Sequence, residues 1–257
     1  MKKKAESTDT DSNQPVVEVK NLRISFEGNL VLKNTTFTLN KGENLVILGK
    51  SGTGKSVLIK CIVGLLTPDS GSIKVFGKEI KSMNKKEFNE FRRNIGFLFQ
   101  SGALYDSMTI RQNLEFPLVR IRRGISSDEV GSKIKSALEN VGLTEALDKM
   151  PSELSGGMRK RASLARTIIV DPQIMLYDEP TTGLDPVTSD EISQLINDVK
   201  EKYKTSSIII THDIRCAMKT ADRVMMLDSG EIYKEGFIKD FETSDDPLIN
   251  AFFNEKN

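Results

Sequence analysis

Eight consecutive residues, Gly49-Lys-Ser-Gly-Thr-Gly-Lys-Ser56, constrain this chain more than any other stretch of it. They satisfy the pattern G-x-x-x-x-G-K-[ST] without a mismatch. The flanks agree, because Asn44–Leu48 reads as a strand and Lys55–Leu65 as a helix. A glycine-rich turn between strand and helix lets main-chain N–H groups converge on an anion at the helix N-terminus. Gly49, Lys50, Ser51, Gly52, Thr53 and Gly54 form that cradle. Lys55 is expected to meet the β- and γ-phosphates of ATP, and the Ser56 hydroxyl to ligate Mg2+.

The rest of the chain supplies the sheet such a loop needs. From Pro15 onward, short β-type runs alternate with helical patterns, as βαβ architectures require. Strand candidates Val16–Ile24, Thr36–Leu39, Leu45–Leu48 and Ser72–Phe76 lie close together, separated by turn signals such as Glu27-Gly-Asn29 and Pro68-Asp-Ser-Gly71. This crowding predicts an antiparallel sheet beside the first parallel strand. Ile174–Tyr177, Ile208–Thr211 and Val224–Leu227 are short apolar runs typical of buried central strands. Between them, Pro186–Tyr203 aligns Ile192, Leu195, Ile196, Val199 and Tyr203 on one helical face. Residues of about 100–165 carry helical patterns, interrupted by Arg122-Arg-Gly-Ile-Ser-Ser127, and are expected to form a helical insertion. The division expected is a disordered tail over 1–14, a domain over 15–242 and a short C-terminal tail over 243–257.

Composition narrows the function classes. A chain of 257 residues can bury a sizeable core. Its 37 Lys+Arg against 36 Asp+Glu argue against a strongly electrostatic nucleic-acid binder. Cys61 and Cys216 cannot build a disulfide framework, so a reducing compartment is expected. The longest nearly apolar stretch, Val57–Leu66, is broken by Lys60 and falls short of the roughly 18–20 residues a membrane-spanning helix requires. The basic start Met1–Lys4 leads into polar residues, without the apolar core of a signal peptide.

Further groups converge on the chemistry. Ile174-Met-Leu-Tyr-Asp178-Glu179 is an apolar strand ending in two adjacent acids, which point different ways on extended chain. Asp178 is expected in the Mg2+ shell, and Glu179 to polarise the water attacking the γ-phosphate, worth about 10²–10⁴ in rate. His212, the only histidine, follows Ile208-Ile-Ile-Thr211 and stands where open α/β sheets place ligands. It is expected to meet the γ-phosphate or order the water, and Gln100, ending the run Ile95–Gln100, to reach the metal or the water. Leu154-Ser-Gly-Gly-Met158 precedes the helical stretch Arg159–Arg166 and offers a second anion-binding helix N-terminus.

Together these motifs resemble those of ABC-type ATPase subunits, from about Val16 to Gly236, in that family's order and spacing. The resemblance implies an α/β fold: a P-loop NTPase (RecA-like) core with an antiparallel β subdomain and an inserted α-helical subdomain. It implies ATP and Mg2+, and two nucleotide-binding subunits paired head to tail as a homodimer. Ser155, Gly156 and Gly157 would then contact the γ-phosphate held by Lys55 and Ser56 of the partner subunit, with Asp185 at the seam. Phe26 takes the aromatic position that stacks on adenine, where tyrosine is commoner, and Met158 replaces the usual glutamine.

Finer stretches, Phe99–Met108, Asn113–Leu118, Met150–Arg161 and Asp246–Phe253, are similar to those of MlaF-type ATPases. That group energises envelope transport of phospholipids and other hydrophobic molecules. It works with an MlaE-like integral permease, an MCE-domain protein and, in some cases, a STAS-domain protein, peripherally at the cytoplasmic face of the inner membrane. Ala103, Leu104, Tyr105, Met108 and Ile110 are expected to form an apolar docking groove, and Arg159–Arg161 to cover a solvated helix face. A polar-solute importer and a lipoprotein-ejecting system remain the nearer alternatives. A soluble ATPase acting on nucleic acid or ribosomes fits less well, given one phosphate loop, no sustained heptads and near-zero net charge.

Overall fold

Apolar residues alternate with polar ones along β1 (Val17–Phe26) and β2 (Asn29–Leu39), so each strand buries one face. A computed structural model describes residues 15–122 and 124–254, and the expected tail over 1–14, Arg123 of the polar break and residues 255–257 lie outside the described residues. β1 and β2 pair antiparallel, and β4 (Ser70–Val75) pairs antiparallel with the other edge of β1. With β5 (Lys78–Glu79) they form a four-stranded sheet of order β2-β1-β4-β5. β2 begins at Asn29, well before the expected Thr36, because its first residues pair with the end of β1 across a two-residue turn.

The second sheet contains β3 (Asn44–Leu48), β6 (Ile95–Leu98), β7 (Ile174–Asp178), β8 (Ser206–Thr211), β9 (Arg223–Asp228) and β10 (Glu231–Gly236). Its order is β10-β9-β3-β8-β7-β6, parallel from β9 to β6, with β10 antiparallel at one edge. β3, β7 and β8 are buried at every residue, as parallel strands covered on both faces must be. On one face Leu45, Ile47, Leu176 and Ile210 meet Leu22 and Leu32 of the antiparallel sheet and Ile59 of α1 (Lys55–Ile62). On the other, Val46, Tyr177 and Ile209 share a core with Ile168 of α5 (Gly156–Ile168) and Ile196 of α6 (Pro186–Tyr203). Each such buried Leu or Ile contributes about 1.5–3 kcal/mol.

α1 ends at Ile62, three residues before the expected end at Leu65. Gly64 takes φ +65°, and Leu65 N–H donates to Lys60 O, a left-handed cap that terminates the helix. α2 (Lys85–Arg93) then leads into β6 and is fixed at its start by an Asn84/Glu87 capping box. Residues 100–165 hold α3 (Ile110–Ile121), α4 (Ser127–Asn140) and the first part of α5. Ile110 is buried with Leu114 and Leu118, so it packs the helical layer and does not line a docking groove. Tyr105 stays exposed, with its ring edge-on to Phe116 and beneath the Arg166 guanidinium.

After α7 (Ile214–Thr220), β9 and β10, the chain closes with α8 (Ile238–Glu242) and α9 (Pro247–Asn254). Most of the expected C-terminal tail is therefore helix. Asp246 accepts the N–H groups of Leu248 and Ile249 and is held by the Tyr233 hydroxyl at 2.7 Å. Ile249 and Phe252 enter the main core. We predict that Ile249→Ala lowers unfolding free energy by about 2–4 kcal/mol in urea titration, as cavity formation in a packed core does. An unchanged midpoint would show that α9 adds nothing to the fold.

Candidate active site

In a parallel sheet every strand ends on the same edge, and three adjacent strands bring this site together. Leu48 pairs with Thr211, and Asp178 pairs with Ile210. The phosphate loop after β3, the acids at the end of β7 and His212 after β8 therefore share one edge. Gln100 follows the neighbouring β6, whose Leu98 pairs with Tyr177.

The loop itself is shaped for close approach. Lys50, Ser51 and Gly52 form its exposed crest, while Gly49 and Gly54 are buried at its feet. Gly54 caps α1 at φ +101°, and a Cβ there would lie 2.8 Å from Leu32 Cδ2 and 3.1 Å from Val31 O. The Thr53 hydroxyl donates to Lys50 O at 2.9 Å. Lys55 is buried and curls back under the loop, donating to Gly49 O at 2.7 Å and Lys50 O at 2.9 Å. Burial lowers its pKa, opposed by the charges of Glu179 and Asp178.

The Ser56 hydroxyl donates to Asp178 Oδ1 at 3.0 Å. Burial raises the Asp178 pKa, and the Ser56 hydrogen bond opposes that rise. A hydroxyl and a carboxylate in contact are a hard oxygen pair of the kind that would hold Mg2+. Among the described residues no group of three or more His, Cys, Asp or Glu side chains could hold a metal ion.

Glu179 departs from extended backbone at φ +51°. Oε1 lies 3.9 Å from Lys55 Nζ; Oε2 accepts the Thr182 hydroxyl at 3.1 Å and lies 2.8 Å from His212 Nδ1. The carboxylate is thus buried, oriented by three groups, and beside the phosphate loop. Gln100 differs from expectation in detail. Its side chain is exposed, and among the described residues only its main-chain carbonyl is bonded, accepting Lys160 Nζ at 2.5 Å.

Among the described residues, the other expected residues make no hydrogen bond to this cluster. Ser155 caps α5, accepting Met158 N–H at 3.3 Å. A Cβ on Gly156 would meet Leu184, and one on Gly157 would meet Thr188, so this turn packs against the segment before and at the start of α6. Among the described residues no hydrogen bond joins Ser155, Gly156 or Gly157 to the phosphate loop. Asp185 caps α6 through Val187 and Thr188 N–H, and the Thr188 hydroxyl holds its carboxyl below the usual range. Phe26, the last residue of β1, is 40% exposed and presents an open ring.

A second expectation is overturned. Lys160 does not cover a solvated face: it is 6% exposed, and its Nζ donates to Gln100 O and, at 3.3 Å, to Glu179 O. Burial pushes its pKa down to about 8, against the opposing pull of Asp178 and Glu179. The signal was helical periodicity, since Gly157, Lys160, Leu164 and Ile168 all fall on the buried stripe of α5.

The sequence and fold resemble those of known proteins. The family described as ABC transporter matches residues 32–182. A probable ribonucleotide transport ATP-binding protein of Mycobacterium leprae, named mkl, is 41% identical over 93% of this chain and 68% of its own length. The mkl proteins of Mycobacterium tuberculosis are 42% identical, and the chain spans 66% of their length. Trigalactosyldiacylglycerol 3 of Arabidopsis thaliana chloroplasts is 35% identical over 92% of this chain and 73% of its own. Among solved structures, the dimeric, post-hydrolysis state of the ATP-binding cassette MJ0796 with ADP and Pi superposes with a TM-score of 0.79. It is 30% identical and covers 86% of this chain and 98% of its own.

Burial of Lys160 has a pH signature. With the folded-state pKa below the unfolded value, the unfolded chain binds more protons between about pH 8 and 10.5, so this site's cost to stability fades as pH rises. Relative to Lys160→Met, the wild-type chain should gain about 2 kcal/mol in urea titrations between roughly pH 7.5 and 9.5. A constant difference would place the ammonium in solvent.

Proposed function

Because the chain belongs to the ABC transporter family and carries its ATPase domain, we propose that it powers transport of a phospholipid or another hydrophobic molecule through a separate permease. The observation that carries the hydrolytic part is the pairing of Ser56 with Asp178 beside Glu179, itself held by Lys55, Thr182 and His212. Glu179 takes the proton of the attacking water, and His212 and Thr182 fix the carboxylate that receives it. Lys55 exchanges two carbonyl partners for phosphate oxygens when ATP enters. Ser56 and Asp178 would hold Mg2+, which when bound neutralises charge on the β- and γ-phosphate oxygens. The exposed ring of Phe26 is available to stack on adenine.

A second copy completes the site in this reading. Ser155, Gly156 and Gly157 sit at a helix N-terminus whose own chain offers it no phosphate, and the solved MJ0796 cassette is described as dimeric. Asp185, capping α6 beside that turn, lies at the seam.

A membrane subunit is the partner that turns hydrolysis into transport. Among the described residues no helix is long and apolar enough to cross a membrane. Val63, Leu65, Ile95, Phe97 and Phe99 line an apolar groove, with Leu65 and Phe99 exposed, which supports docking of a permease segment. The lipid class rests on the likeness of Met150–Arg161 and Phe99–Met108 to MlaF-type ATPases and on an Arabidopsis relative named for a galactolipid. An MlaE-like permease, an MCE-domain protein and a STAS-domain protein are the partners that likeness suggests, at the cytoplasmic face of the inner membrane. The mkl relatives, named for ribonucleotide transport, favour a polar solute instead. Lipid analysis of the complex purified with its membrane subunits separates the two: enriched lipid supports the first, and a complex whose turnover responds only to a polar solute supports the second.

Glu179→Gln should retain ATP in equilibrium titration yet lose turnover at least about tenfold, whereas near-normal hydrolysis would remove the base assignment. Lys55→Ala should weaken binding of labelled ATP itself.

A further inference from the structure

We infer that Lys160 is a positioning residue for hydrolysis, pinning the main chain at Glu179 so that its carboxylate stands where Lys55, Thr182 and His212 meet it. This rests on the reading of Glu179 as the base. Gln100 and Glu179 follow β6 and β7, neighbouring parallel strands, and beyond the sheet their carbonyls lose the ladder that held the chain. Lys160 Nζ reaches both, at 2.5 and 3.3 Å, from α5 on the helical side of the sheet. Thr182 N–H also donates to Glu179 O, at 3.4 Å, so this carbonyl is held from two directions.

That grip matters because Glu179 is a non-glycine residue at φ +51°, a conformation that persists only where its surroundings enforce it. Rotation of the peptide that relaxed this φ would swing the carboxylate off His212 Nδ1 and the Thr182 hydroxyl. A buried ammonium is also a costly way to fill space, and a methionine would fill it without losing hydration. What lysine adds is a charged donor with reach to two carbonyls at once. Its place on α5 adds a connection: Lys160 lies about 6 Å along the helix from Gly156. Displacement of the Ser155–Gly157 turn is thereby carried on one rigid element to the main chain of the base.

The test is steady-state ATP hydrolysis by Lys160→Met, Lys160→Arg, Glu179→Gln and the double variant Lys160→Met/Glu179→Gln, with folding checked by circular dichroism. Lys160→Met should lower kcat at least about tenfold while KM for ATP moves less than about threefold. Lys160→Arg, which keeps a charged donor, should recover kcat to within about threefold of the parent. The double variant should be no slower than Glu179→Gln alone, because a residue acting through the base has nothing left to position. Should Lys160→Met fail to fold, Lys160→Gln is read on the same split. Turnover of Lys160→Met within twofold of the parent, equal losses in kcat and ATP affinity, or additive losses in the double variant would each overturn the proposal. Intact turnover in Glu179→Gln would instead overturn the base assignment on which it rests.

Discussion

Parallel pairing of β3 with β8, and of β8 with β7, ends three apolar strands on one line, and every functional contact follows from that register. The pairing places Asp178 against Ile210 and Leu48 against Thr211, so the loop after one strand, the acids of the next and His212 meet within hydrogen-bond range. A shift of one residue in β7 would turn each of its side chains to the opposite face, sending Tyr177 out of the helical core and Asp178 away from Ser56. Such a slip is resisted by the complete burial of β3, β7 and β8 between two apolar layers. The same interactions that form the core therefore hold the chemistry in place.

The charges at that edge are held under tension. Lys55 and Lys160 are both depressed by burial, and Asp178 is raised by it. Each charged form is desolvated, and each has a charged or hydrogen-bonding partner: Lys55 faces Glu179, the Ser56 hydroxyl donates to Asp178, and Lys160 spans two carbonyls. Paired and hydrogen-bonded charges of this kind add little net stability but fix geometry. A site arranged in advance, with donors and carboxylates already oriented, needs little rearrangement as charge develops on a transferring phosphoryl group.

How much of this was legible in the sequence depended on whether the backbone or the packing carried the information. The phosphate loop reads directly because its function needs glycines at fixed offsets between a strand and a helix, and Gly54 at φ +101° shows why. Asp178, Glu179 and His212 read well because each ends a short apolar run. Lys160 was missed because a run of three basic residues looks solvated when taken as composition, although its spacing from Gly157 and Leu164 marks the buried stripe. Ile110 shows the converse: by position it belongs to an apolar surface segment, but Leu114 and Leu118 on the same helical face draw it inward. The ends of α1 and β2 were set by a left-handed glycine and by pairing across a turn, both of which act after the local pattern has stopped.

In the proposed assembly Gly49–Ser56 of one copy is completed by Ser155–Gly157 of another, so that each chain carries two half-sites. Sedimentation velocity of the Glu179→Gln chain with ATP and Mg2+, compared with ADP, tests it most directly. The expected species is one of two chains with ATP and of one chain with ADP. A single-chain species at saturating ATP would contradict it.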